Sequence, residues 1–168
     1  MSTMRYGDGV EDTEPRWLDD QEFRAWLGYR RMRLALDAAI NRDMARDSGL
    51  SEPDYDVLSN LSSTAGHRWR MSDLGKRMLW SKSRLSHHIS RMEQRGLVRR
   101  EGVDGDGRGA SVVLTRRGLA AIVAAAPHHV GSVRDRFIDL LTREEIRVLG
   151  DIAEKVLARL GSSLEGPR

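Results

Sequence analysis

The hydrophobic pattern of this chain changes period at Gly96, and that change constrains its fold more than any other feature. Before it, Leu85, Ile89 and Met92 recur at spacings of three or four, the repeat of one helix face. After it, Leu97-Val98-Arg99-Arg100 and Ala110-Ser111-Val112-Val113-Leu114 read as strands joined by Val103-Asp104-Gly105-Asp106-Gly107-Arg108-Gly109. The glycines and aspartates of that link are turn formers, so it is the tip of a hairpin. The helix before it runs from a Ser81 cap to about Arg95, with Gly96 just past its end. A shorter helix, capped by Ser72 with Leu74, Met78 and Leu79 apolar, precedes it across a tight junction at Leu79–Ser81. Two helices, a tight turn and a hairpin make a winged helix-turn-helix.

The flanks read as helical. From Trp17 to about Arg46 only Gly28 disfavours a helix, and Phe23, Trp26, Leu27, Leu34, Ala38, Met44 and Ala45 form a stripe. A helix of about 30 residues is about 45 Å long, too long for a small domain to cover, so it packs on a partner chain. Gly49 ends it; Ser51, Pro53 and Asp54 open the next helix, whose buried face is Tyr55, Leu58 and Leu61. After the hairpin, Thr115 caps a helix to about Ala126, Pro127 interrupts or kinks it, and Val130 to Leu141 resumes it. Thr142 and Glu145 form a capping box for a last helix to Leu160. The order is α-α-α-α-β-β-α-α. The fold class is mainly α with a small β-hairpin wing, a winged domain plus N- and C-terminal helices that dimerise. The divisions are a disordered arm (1–15), an N-terminal dimerisation helix (16–50), the winged domain (51–116), C-terminal dimerisation helices (117–161) and a tail (162–168).

The net charge of +3 hides an asymmetry. Residues 66–117 hold 13 Lys and Arg against 5 Asp and Glu, a net +8, while the other 15 and 20 give −5. A basic segment in an acidic scaffold suits phosphate binding or, equally, a solvated basic face. The chain has no Cys, which removes disulfides, cysteine-based zinc sites and thiol sensing. No apolar run is long enough to cross a bilayer, and residues 1–14 do not read as a signal peptide, so the expected location is cytoplasmic.

The face of Ser81–Arg95 opposite Leu85, Ile89 and Met92 is the candidate DNA-reading surface, with a solvated structural face the alternative. It presents Ser81, Lys82, Ser83, Arg84, Ser86, His87, Arg91 and Arg95, with Glu93 the one acid. A helix face without function ordinarily alternates its charges. Arg grips guanine O6 and N7 with two hydrogen bonds, and Ser or neutral His pairs with base edges or phosphates. Arg108, between two glycines at the hairpin tip, suits a narrow minor groove or is a mobile surface arginine.

The run Leu85-Ser86-His87-His88-Ile89-Ser90-Arg91-Met92-Glu93-Gln94-Arg95-Gly96-Leu97-Val98-Arg99-Arg100, then Asp106-Gly107-Arg108, then Leu114-Thr115-Arg116-Arg117-Gly118, closely resembles the MarR family. Met92 stands where that family's pattern has Leu. The resemblance spans residues 17–161. It implies a homodimer with interlocked terminal helices that binds an inverted-repeat operator, and usually repression relieved by a small ligand. It also implies that Arg108 enters the minor groove, braced by Asp106.

Because the first two helices resemble that family's pocket walls, the resemblance implies Trp26 and Arg30 on the first helix and Tyr55 on the second as candidate contacts for an aromatic or anionic effector; aromatics at helical spacing are otherwise dimer core. Polar or satisfied histidine is the ordinary reading of His87–His88 and His128–His129, with a histidine metal site the alternative. No phosphate loop, nucleophile elbow or HExxH occurs, so neither an enzyme nor a cofactor is expected. The alternative function is a winged-helix module that binds an acidic protein and not DNA.

Overall fold

The computed structural model describes residues 15–103 and 106–162. It divides into two compact units, Met1–Ala35 and Leu36–Arg168. Helix α1 (Asp20–Ser48) begins in the first and ends in the second. It starts three residues later than the sequence predicts, because Asp19 caps it. The Glu22 amide donates to Asp19 Oδ1 at 2.8 Å, and the Asp19 amide donates to Glu22 Oε2 at 3.0 Å. Within the first unit Phe23, Trp26 and Tyr29 remain exposed.

In the second unit, α2 (Glu52–Ser62), α3 (Met71–Arg77) and α4 (Lys82–Gln94) surround a core of Leu58, Leu61, Leu74, Leu85, Ile89 and Met92. Strands β1 (Arg68–Arg70), β2 (Val98–Val103) and β3 (Asp106–Leu114) form an antiparallel sheet in the order β1-β3-β2. The expected order lacked β1. Its three residues, Arg68-Trp69-Arg70, are too few for their alternation to mark a strand, and they pair with Val113, Val112 and Ser111 far along the chain. Trp69 fixes the approach to the strand, its indole N–H donating to Thr64 Oγ1 at 2.6 Å.

Helix α5 (Arg116–Arg136) runs unbroken through Pro127 and ends before the expected Leu141, in a short 3₁₀ turn, Ile138–Leu140. The missing Pro127 amide removes one helical bond, and the neighbouring turns carry the helix across the gap. Asp43, buried near the end of α1, clasps α5 by accepting from Ser132 Oγ at 2.6 Å and Arg136 at 2.9 Å. The Arg136 guanidinium, with Ser132, holds its carboxyl well below the usual range.

Helix α6 (Arg143–Arg159) opens on the expected Thr142–Glu145 capping box. None of its residues is buried within the single chain, and Val148, Ile152, Val156 and Leu160 form an exposed stripe.

Two further expectations are corrected. Ser72 does not cap α3; the capping position is Arg70, which makes no side-chain bond there. Leu79 does not extend the apolar face of α3; it is 81% exposed, turned outward by a left-handed backbone.

Candidate nucleic-acid interface

Helix α4 forms where the sequence places it. Ser81 Oγ accepts from the Arg84 amide at 3.2 Å, and Gly96 closes the far end at φ +71°. Leu85, His88, Ile89 and Met92 are buried. Lys82, Ser83, Arg84, Ser86, His87 and Arg91 are exposed together on the opposite side, and Ser81 is exposed at the cap. No acid occupies the first turn.

Contacts from β2 and from the start of α2 hold that face in place. From β2, Arg100 donates to the Ser86 carbonyl at 2.7 Å, to Ser90 Oγ at 2.9 Å and to Glu93 Oε2 at 3.1 Å, pinning the sheet to α4. From α2, Asp54 accepts from Arg95 at 2.7 Å and from the Ser51 amide at 3.0 Å. Arg95 also donates to the Gly49 carbonyl at 3.1 Å, so it is turned away from the exposed face to which the pattern assigned it. His88 lies between, its Nε2 3.1 Å from Asp54 Oδ1 but misaligned for a hydrogen bond. Its Nδ1 stands 3.0 Å from Arg91. Arginine only donates, so Nδ1 accepts and the ring proton sits on Nε2, facing the carboxylate.

Burial pushes the Asp54 carboxyl up, but His88, the Ser51 amide and Arg95 outweigh it and hold the group well below the usual aspartate range. The sequence marked Asp54 only as a helix-end residue. Its larger role arises because the end of α4 packs against the start of α2 and brings Arg95, 41 residues along the chain, within 2.7 Å, which no local pattern reveals.

Arg84 is pre-organised. Its guanidinium carbon stands 4.2 Å from the centre of the Trp80 ring, which meets the His88 ring edge-on at 5.3 Å. Trp80 thus holds the Arg84 side chain, a contact that the sequence pattern does not mark.

The effector candidates fall in separate units. In the first, Arg30 stands 5.9 Å over the Trp26 ring, which stacks on Tyr29. In the second, Tyr55 packs its ring 4.2 Å from that of His129, and burial raises its hydroxyl pKa. Among the described residues, no group of three or more His, Asp or Glu stands close enough to hold a metal ion. No described helix is long and apolar enough to cross a membrane.

Residues 48–109 match the model of the MarR family. The chain is 29% identical over 106 residues to the HTH-type transcriptional regulator PecS of Dickeya dadantii, covering 62% of this chain and 63% of that one. It superposes on AbsC, a MarR family transcriptional regulator from Streptomyces coelicolor, with a TM-score of 0.83 and 44% identity, over 88% of this chain and 99% of that one. The chain belongs to the MarR family. A second MarR family regulator from the same organism, Sco3205, was crystallised in complex with DNA; it matches at a TM-score of 0.84 and 36% identity, covering 92% and 97% of the two chains.

The MarR-type segments now have physical reasons. Thr115 in Leu114-Thr115-Arg116-Arg117-Gly118 donates from Oγ1 to the Gly96 carbonyl at 2.7 Å and accepts from the Gly118 amide at 2.9 Å, locking the α5 start to the α4 end. Gly118 lies so close to Leu97 that no side chain fits. Asp106 and Arg108 fall on β3, and their side chains lie outside the described residues.

Proposed function

We propose that this chain is a homodimeric, sequence-specific DNA-binding regulator, acting in the cytoplasm without catalysing a reaction. One observation carries the reading: an exposed basic face on α4 with no acid in its first turn, with Arg84 held over Trp80, on the frame shared with DNA-bound Sco3205. Helix α4 enters the major groove, where Ser81, Lys82, Ser83, Arg84, Ser86, His87 and Arg91 meet bases and phosphates. The hairpin reaches the flanking minor groove through Arg108, braced by Asp106. The exposed stripe of α6 and the aromatic face of α1 support pairing with a second copy. A two-fold dimer reads an inverted repeat, and the protein represses until an effector favours a conformer whose reading helices no longer match the groove. The cation and ring pair of Arg30 and Trp26 suits an aromatic or anionic effector, and Tyr55 is a further candidate contact.

Mobility shift on a selected operator tests the assignment. Arg84→Ala is expected to weaken binding by about 1–3 kcal/mol and relax preference at one base per half-site. Arg108→Ala is expected to weaken binding with less effect on major-groove preference. Wild-type binding by both variants contradicts the assigned surfaces.

A further inference from the structure

The turn between α3 and α4 carries a residue that is unfavourable twice over. Leu79 has φ +53°, a conformation that penalises any residue with a Cβ, and its side chain is 81% exposed, so burial returns nothing. The turn is closed by backbone bonds, Leu79 amide to Lys76 carbonyl at 3.2 Å and Trp80 amide to Gly75 carbonyl at 2.9 Å. Glycine would make both bonds without the strain. A strained residue that packing does not explain points to a use outside the fold.

Its surroundings supply one. Leu79 lines an open groove of about 810 Å³ between α3, α4 and the sheet. Arg70, Lys76, Lys82 and Arg100, the last paired with Glu93, also line it, with no acidic side chain among the described residues. Lys82 and Ser86 belong both to this groove and to the exposed face of α4. A cationic groove with an apolar edge matches a polyanion whose charges are separated by apolar units. Phosphates and deoxyriboses along a DNA strand have that alternation, and a free anion has no use for the apolar edge.

We propose that the groove seats one strand of the DNA backbone, with Leu79 packing on the sugars between phosphates held by Lys76 and Lys82. The proposal rests on the DNA-binding reading above and extends it to the turn. Retention of a strained leucine is then the cost of an apolar contact that glycine cannot make.

The test uses the full chain, a long random-sequence duplex, and binding measured across a salt series beside thermal unfolding. Leu79→Gly is expected to raise Tm yet weaken duplex binding about fivefold, the scale of a partly buried leucine. The slope of log affinity against log salt should stay unchanged, because no phosphate contact is lost. Leu79→Asn, which tolerates the left-handed backbone, should behave as Leu79→Gly, while Leu79→Met should keep wild-type affinity without the gain in Tm. Lys76→Gln should make the slope shallower by about one. Wild-type affinity in Leu79→Gly, or no rise in its Tm, overturns the proposal. Poly-glutamate binding as tightly as the duplex identifies an acidic protein strand as the occupant and overturns it as well. Failure of the wild type to bind any duplex instead overturns the DNA-binding reading itself.

Discussion

Gly118→Ala is expected to cost about 3–5 kcal/mol, or to abolish folding. Helix propensity alone argues the opposite, since alanine gains about 1 kcal/mol over glycine inside a helix. The geometry decides between them. A Cβ on Gly118 would stand 2.0 Å from the Leu97 carbonyl oxygen, 2.8 Å from Leu114 Cδ1 and 3.0 Å from the Leu97 carbonyl carbon. Two of those three atoms are backbone, so relief requires the start of α5 to lift from the junction between α4 and β2. That movement breaks the Thr115 bonds to the Gly96 and Leu97 carbonyls, at 2.7 and 3.0 Å. Overpacking of this severity exceeds the usual cost of about 1–3 kcal/mol and consumes much of a typical domain's stability. Gly131→Ala, in the same helix with nothing within 4 Å of its Cβ, should show the propensity gain alone. Denaturant unfolding of the two variants checks both signs, and a stable Gly118→Ala protein contradicts the close approach.

Asp54→Ala is expected to cost about 3 kcal/mol. It leaves His88 and Arg95 without their carboxylate and removes the Asp54 half of the α2 capping box, and breaking a buried pair from one side costs about 3–5 kcal/mol. The lower figure applies because Arg95 is 43% exposed and regains water. Because the folded carboxyl lies below its ordinary value of 3.8, its stabilisation is complete above that pH and is withdrawn as acid is added below it. The gap between wild type and variant should therefore hold at neutral pH and narrow below about pH 4. A gap unchanged down to about pH 3 would assign the loss to packing and not to charge.

These two residues show what was legible in the sequence. The caps of α2, α4, α5 and α6 and the α4-to-hairpin switch are local, so spacing and residue type reveal them. The exposed face of α4 followed from the same periodicity, and Arg84, Lys82 and His87 stand where it put them. Long-range features escaped. Strand β1 exists only because β3 offers it an edge, and Arg95 turns away from that face because Asp54 and the Gly49 carbonyl lie on its other side. Asp43 carries no local mark in the sequence, because its partners Ser132 and Arg136 lie on α5, about 90 residues away. Leu79 continued an apolar repeat whose helix had already ended at Arg77.

Selecting bound fragments from sheared genomic DNA of the source organism and footprinting the enriched site measures sequence-specific DNA binding by a two-fold dimer. One recurrent inverted repeat is expected, with half-site centres about 10–10.5 bp apart and protection on both halves. Fragments recovered without a shared sequence, or a footprint over a single asymmetric half-site, would contradict it.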